Sequence, residues 1–393
     1  MGGRLLRSLS LFSGIGGLDL SLKGVLKPLV YCEIDPHALA VLHDQMRKGT
    51  LHKAVVNTDV RTLTSSWIRT NDKGGGIPEA LVAGWPCPGH SGAGKRQSFD
   101  HKESGLFREI LRLVDEVHTI KYLFLENVSN ILNNGMELVV KELHKKRKFT
   151  LSWVVVEARE VGAPQLRRRW FCVAHRQGHL PKAPAFTDGY RPFATRWATE
   201  PPRTICAKGA QPNKNDVRSA RRRAFMLGNG VVLDCARYAF FHLLSKPSTI
   251  GQGRQLTNNF GDWPACGIIE NGKVHELVSP IPRSWRGPLP IVLDAKLYRP
   301  PKGHQAKNVL EPLRKNTTLD YWATPRAHLT SASQVMTQRT SHDLPTQIRN
   351  EINTPSNERK CAPNPFFLEN MMGYPKNYTA AVNTMIKRQG PKK

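Results

Sequence analysis

Between Leu5 and Ala174 the chain alternates short apolar runs with stretches of helical spacing. Nothing else in the sequence limits the fold as strongly. Strands that alternate with helices pair mostly in parallel, and the helices cover the sheet. Leu5 to Phe12, Leu29 to Ile34, Val55-Val56, Ala80 to Gly84, Tyr122 to Leu125, Trp153 to Val156 and Trp170 to Ala174 read as strands. Pro36 to Met46 reads as a helix, with Asp35 as N-cap and Pro36 at its first position. Leu106, Phe107, Ile110, Leu111, Val114 and Val117 recur at helical spacing. The expected fold class is α/β, a mostly parallel, Rossmann-like sheet. Ligands of such sheets collect at the carboxyl ends of the strands.

After about residue 176, prolines, short strands and basic clusters take over. One helical segment stands out there, Arg218 through Leu244, interrupted at Gly228-Asn229-Gly230. The expected organisation is a catalytic and cofactor-binding domain at 1–180, and a linker plus returning helix at 181–244. A second, smaller, loop-rich domain is expected at 245–380, and a basic tail at 381–393.

The residues that carry chemistry sit where the strands end. Phe12-Ser13-Gly14-Ile15-Gly16-Gly17 follows the first strand and opens a helix. Small residues there let a ligand approach the backbone closely. Glu33 lies 19 residues beyond Gly14, at the end of the next strand. A carboxylate in that place can accept hydrogen bonds from both hydroxyls of a ribose. The third spaced glycine of the dinucleotide fingerprint is absent, so the pattern suits a nucleoside without pyrophosphate, such as S-adenosylmethionine. Asp59 is placed to accept from an adenine amino group. Phe12 is placed to pack against the cofactor. Cys87 stands in Gly84-Trp85-Pro86-Cys87-Pro88, a loop whose prolines and glycine hold the backbone off helix. A free thiol is only a few per cent thiolate at neutral pH, so a nearby cation would activate it. Glu126 at the end of a strand is a candidate proton donor to a bound base. Arg167 and Arg169 alternate in an extended segment and are expected to point the same way, toward a phosphate or a carbonyl oxygen.

Charge adds a partner. The chain has 58 Lys and Arg against 31 Asp and Glu, a net charge of +27, which predicts binding to a polyanion, most simply nucleic acid. Lys145 to Lys148 and Arg221-Arg222-Arg223 are candidate phosphate contacts. The seven cysteines are widely spaced and include no Cys-x-x-Cys pair. Zinc ribbons and zinc deaminases thus lose their usual ligands, and a reducing, intracellular setting fits. No apolar run reaches the roughly 18 residues of a membrane span. Arg4 and Arg7 before an apolar stretch imitate a secretory leader, but Gly14, Gly16, Gly17 and Asp19 interrupt it.

Taken together these residues resemble the cytosine carbon-5 DNA methyltransferases. Phe12-x-Gly14-x-Gly16-Gly17 resembles their first motif, and Glu33 and Asp59 their second and third. Pro86-Cys87 with Ser91 resembles the nucleophile loop, Glu126-Asn127-Val128 the Glu-Asn-Val motif, and Gln165 to Arg169 the Gln-x-Arg-x-Arg motif. Leu227-Gly228-Asn229-Gly230-Val231 resembles the last motif. The sequence departs from the family at Pro88 (usually Gln), His90 (usually Phe) and Gly230 (usually Ser or Ala). Order departs too. Asn364-Pro365-Phe366 and Met372-Gly373-Tyr374-Pro375 look like the penultimate motif, yet follow the last one.

The resemblance implies methyl transfer from S-adenosylmethionine to carbon 5 of a flipped-out cytosine in a specific sequence of double-stranded DNA. It assigns Cys87, Glu126, Arg167 and Arg169 to catalysis. Phe12, Gly14, Gly16, Gly17, Glu33, Ile34, Asp59 and Asn229 fall to the cofactor, and Ser91, Gln165, Arg221, Arg222 and Arg223 to DNA. It implies a monomer, with no membrane role, that works beside a cognate restriction endonuclease or protects a genome. Two alternatives stay open: a transferase of the same fold acting on transfer RNA, and an inactive DNA-binding protein that kept the fold.

Overall fold

The computed structural model describes residues 4–72, 76–86, 105–161, 163, 165, 167–179, 205, 213–245, 254–255, 263–277 and 362–388. Cys87, Ser91 and most of 245–380 lie outside the described residues. The chain divides into two compact units. One comprises Met1–Glu157, Arg168–Tyr190 and Cys235–Pro282, the other Ala158–Arg167, Arg191–Asp234 and Arg283–Lys393. Among the described residues no helix is long and apolar enough to cross a membrane.

The first unit is built on one sheet. Its elements begin β1 (Leu6–Leu11), α1 (Gly17–Ser21), β2 (Leu26–Cys32), α2 (Pro36–Arg47), β3 (Val55–Asn57) and α3 (Ser65–Asn71). They continue through β4 (Ala80–Gly84), α4 (Leu106–Glu116) and β5 (Tyr122–Val128). Two short helices, α5 (Ile131–Asn134) and α6 (Met136–Val139), and a π-helical turn at Val140–Lys146 lead to β6 (Phe149–Glu157). Then come β7 (Arg168–Arg176), β8 (Arg254–Gln255), β9 (Cys266–Glu270) and β10 (Lys273–Glu276). The strand order is β3-β2-β1-β4-β5-β7-β6-β9-β10-β8. Pairing is parallel from β3 to β5 and antiparallel from β5 onward. From β1 the chain first runs outward through β2 and β3, then returns to β4 on the other side. That reversal opens a crevice beyond the carboxyl ends of β1 and β4.

The local signals that set these elements are visible. Asp35 Oδ1 accepts from the backbone N–H of His37 and Ala38, and Pro36 occupies the first helical position of α2. On α4, Phe107, Ile110, Leu111 and Val114 recur at helical spacing and are buried with Leu9, Leu81, Leu123 and Trp170 in one core. Each such side chain contributes about 1.5–3 kcal/mol on burial. Phe124 points to the opposite face of the sheet from Leu123 and Leu125. There it meets Phe240 edge-on at 5.5 Å, and Phe171 does the same at 5.4 Å. Phe240 belongs to α8 (Leu233–Ser245), which follows α7 (Lys214–Asn229).

The second unit is helical where it is described. Its α7 packs with α9 (Pro365–Met372) and α10 (Ala381–Arg388). Asn364 caps α9 by accepting from Phe366 N–H, and Gly373, at φ 81°, ends it. Arg223 is buried and does not face solvent. It donates to Glu369 (2.8 Å) and to Thr379 Oγ1 (2.7 Å). Glu369 is fully buried and also accepts from the backbone N–H of Asn377 and Thr379. The expectation that Arg223 binds DNA is thereby corrected. Successive helical residues point about 100° apart, so three arginines in a row cannot share one exposed face. Arg223 falls on the buried side with Ser219, Ala220, Met226 and Leu227. Its neighbour Arg222 lies over the Phe225 ring at 4.8 Å.

Candidate active site

The glycine turn and Glu33 are joined by a direct bond. Gly14 N–H donates to Glu33 Oε2 at 2.7 Å, and Asp35 N–H donates to Oε1 at 2.8 Å. Burial raises the Glu33 carboxyl above the ordinary range, and backbone N–H bonds from Asp35, Gly14 and Ile34 offset only part of that rise. A carboxylate offers about four lone-pair sites, so at least one stays open to a further donor. Gly14 and Gly16 hold positive φ, 55° and 79°. The positive φ favours glycine at Gly16, and a Cβ there, 2.6 Å from Leu51 Cδ1, would also displace the end of that side chain. Phe12 also holds a left-handed φ of 51°, which costs about 1–2 kcal/mol in a non-glycine residue. Ser13 N–H to Cys32 O, at 3.0 Å, keeps it there. Ile34, next to Glu33, is 66% exposed, one of two large apolar side chains left so among the described residues. Asp59, beyond β3, is paired with Arg61, whose hydrogen bonds hold its carboxyl below the usual carboxylate range.

This set of residues fits a nucleoside. A half-buried carboxylate with a lone pair to spare suits a ribose hydroxyl, and the exposed Ile34 and strained Phe12 offer apolar surface.

The end of β5 carries the second constellation. Gly84 of β4 pairs with Glu126 of β5, and Val128 of β5 pairs with Arg169 of β7. Glu126 and Arg169 are thus diagonal neighbours on one face. Their side chains meet, with Arg169 Nε 3.1 Å from Glu126 Oε1, both largely buried. Gly84 leaves room for this carboxylate, since a Cβ there would stand 2.9 Å from Glu126 Oε2. The strand continues through Glu126 to Val128, three residues further than its apolar run indicates. Beside it, Asn127 Nδ2 donates to Trp85 O, and the Trp85 ring packs on Phe107 at 5.1 Å and on Trp170 at 6.4 Å. The backbone is anchored in this way two residues before Cys87.

Arg167 and Arg169 do not form the expected fork. Strand β7 begins at Arg168, so the extended alternation does not reach Arg167. Arg167 is buried and donates to the carbonyls of Gly228 (3.0 Å) and Gly230. It is a positioning residue that holds the turn on either side of Asn229, whose own side chain is exposed at the end of α7. Gln165 is likewise corrected as a DNA contact. It is fully buried and donates to Met371 O at 2.8 Å. The basic run at 145–148 is partly neutralised, with Lys146 on Glu142 and Arg147 on both Asp115 and Glu142.

The structure also accounts for one departure from the family pattern. A Cβ on Gly230 would lie 3.0 Å from Tyr374 Oη. Sequence reasoning missed Tyr374 as the neighbour of Gly230 and Glu369 as the partner of Arg223, because 144 residues separate Gly230 from Tyr374 (374 − 230) and nothing in the local pattern links them.

Fold and site together define an α/β protein with a glycine turn bonded to Glu33 and a Glu126–Arg169 pair at the ends of its strands. The model of the C-5 cytosine-specific DNA methylases matches residues 6–232. The chain belongs to that family, whose members methylate carbon 5 of cytosine in DNA with S-adenosylmethionine. It is 31% identical over 364 residues to the Type II methyltransferase M.CviJI of Paramecium bursaria Chlorella virus IL3A, spanning 87% of this chain and 90% of the relative. It is also similar to two bacterial enzymes. One is the Type II methyltransferase M.AquIA of Picosynechococcus (30% identity, 46% of this chain, 76% of the relative). The other is M.HhaI of Haemophilus parahaemolyticus (31% identity, 44% and 49%).

Proposed function

We propose that the chain is a DNA (cytosine-5) methyltransferase acting on a specific sequence in double-stranded DNA. The observation that carries this reading is the Glu126–Arg169 pair at the end of β5, one strand away from the segment that leads into Cys87. Cytosine carbon 5 is a poor nucleophile. Addition of the Cys87 thiolate to carbon 6 makes it enamine-like and able to take a methyl group. Glu126 holds ring nitrogen 3 and the amino group and stabilises the charge that builds on attack. Arg169 fixes Glu126 and contacts the carbonyl oxygen. Loss of the carbon-5 proton and expulsion of the Cys87 thiolate restore the ring. The base must leave the duplex, at a cost of a few kcal/mol.

Glu33 holds the ribose of S-adenosylmethionine, Phe12 and Ile34 pack on its adenine, and Asp59 accepts from the adenine amino group. Gly14, Gly16 and Gly17 admit it to the backbone, and Asn229 contributes from the last motif. When bound, the cofactor supplies the methyl group from its sulfonium. Ser91, Arg221 and Arg222 serve the DNA. Residues 245–380 carry target recognition. The relatives are Type II methyltransferases, which supports a role beside a cognate endonuclease or in protecting a genome inside a cell.

The test is to sequence, by a method that reads 5-methylcytosine, DNA from cells expressing the intact chain or Cys87→Ser. New methylcytosine in one short context, absent with the variant, is expected. Methylation of transfer RNA with none in DNA would overturn the DNA substrate. Unchanged methylation in the variant would overturn the nucleophile.

A further inference from the structure

One buried acid in the first unit has no part in the chemistry above. Asp19, on α1 just past the glycine turn, is 4% exposed. Its Oδ2 accepts from Ser10 Oγ at 2.7 Å, and its Oδ1 has no hydrogen-bond partner among the described residues. A carboxyl buried with so little compensation costs folding free energy, and an apolar side chain would pack there without that cost. The contacts beyond Ser10 supply a reason for it. Ser10 Oγ lies 3.0 Å from Ser13 Oγ. Ser13 Oγ reaches Ser10 O (2.9 Å) and Cys32 O (3.3 Å), and accepts from Cys32 N–H (3.2 Å). Ser13 O accepts from Gly16 N–H at 2.8 Å. The chain of contacts therefore runs from Asp19, through two hydroxyls, to the backbone of β1, of the turn and of the end of β2. Gly14, which donates to Glu33, is the next residue along.

We infer that Asp19 is a positioning residue for cofactor binding: through Ser10 and Ser13 it fixes the turn that presents Gly14 to Glu33. A hydroxyl has one proton to give. With Asp19 ionised, Ser10 donates to the carboxylate and Ser13 donates to Ser10. With Asp19 protonated, the carboxyl can donate to Ser10, Ser10 to Ser13, and Ser13 to a backbone carbonyl. Both arrangements keep the Asp19–Ser10–Ser13 contacts and the bond from Cys32 N–H to Ser13 Oγ; only the protonated one also leaves Ser13 its proton for a backbone carbonyl. An amide at position 19 also keeps them, since it can accept from Ser10 or donate to it. A methyl group keeps none. The inference rests on the reading of Glu33 as a cofactor ligand.

The experiment measures S-adenosylmethionine affinity by calorimetry on the full chain, without DNA. Loss of one buried hydrogen-bonded link should make Asp19→Ala bind about tenfold more weakly, which is about 1.4 kcal/mol. Asp19→Asn should recover nearly all of that loss. Ser10→Ala, which removes only one oxygen and is the gentler change, should weaken binding to the same degree. The double variant Ser10→Ala/Asp19→Ala should be no worse than either alone, because both break one chain. Glu33→Ala serves as the reference. If it loses affinity while Asp19→Ala and Ser10→Ala bind as tightly as the intact chain, the inference is overturned and the cofactor reading stands. If Asp19→Asn is as weak as Asp19→Ala, a charge and not the hydrogen-bond chain is at work, and the inference is equally overturned. Unchanged affinity in Glu33→Ala would overturn the cofactor reading itself.

Discussion

The carboxyl ends of the parallel strands and the helical unit of α7, α9 and α10 both hold charged residues that the sequence singles out, but they use them in opposite ways. At the strand ends, Glu33 accepts two backbone bonds and Glu126 meets Arg169, and these groups stay partly open to a ligand. In the helical unit, Arg223, Glu369 and Thr379 are buried and are partners to one another. The same residue types serve chemistry in one place and cohesion in the other. Burial separates the two, because a buried ion pair that loses one member leaves a charge with nowhere to go, whereas a part-exposed pair can resolvate.

The comparison can be tested from both sides. The largest expected effect is on activity. Glu126→Gln keeps the shape of the side chain and removes its charge, so methyl transfer should fall by roughly 10²–10³-fold, with a chemical denaturation midpoint close to that of the intact chain. A large loss of stability in this variant would erase the distinction between the two regions. On the other side, Glu369→Leu strands the Arg223 guanidinium and should cost about 3–5 kcal/mol in urea unfolding. A near-neutral result would mean that water reaches the pair and that the helical unit is open as well.

Smaller effects sharpen the contrast. Burial pushes Asp19 up to about 7 from its ordinary 3.8. The folded chain then keeps a proton that the unfolded chain has already lost, so this contribution to stability is full below about 3.8 and is lost as pH rises through about 7. Unfolding of Asp19→Asn, followed from pH 5 to pH 8, should show a shallower decline than that of the intact chain. An identical pH profile would count against a buried, protonated Asp19. Last, Arg221 is only half-buried on α7. Arg221→Ala should leave stability within about 0.5 kcal/mol and lower the salt dependence of DNA binding by about one counterion. An unchanged salt slope would remove Arg221 from the DNA contacts.

Much of the sheet of the first unit is legible in the sequence. Ala80–Gly84 matches its apolar run residue for residue, and α2 starts where Asp35 and Pro36 signal. Glu33 was placed at a strand end by spacing alone, and it bonds the turn it was paired with. The Gln-x-Arg-x-Arg segment misled because alternation was assumed to run through it. Its Gln165, Arg167 and Arg169 have three different partners, Met371, the 228–230 turn and Glu126. The arginine run misled because composition counts charges without assigning them to a helix face.

What the sequence determined by itself is local: the periods of strands and helices, the caps, and the glycines that a tight turn demands. These rest on interactions among residues a few positions apart, and so they are written in the order of the residues. What only the tertiary structure decided is the fate of the buried polar groups. Gln165 finds its acceptor 206 residues away, Arg223 its hydroxyl 156 residues away and Arg167 its carbonyl 61 residues away. A buried donor must be satisfied by whatever the fold brings within about 3 Å of it, and chain order carries no record of that distance.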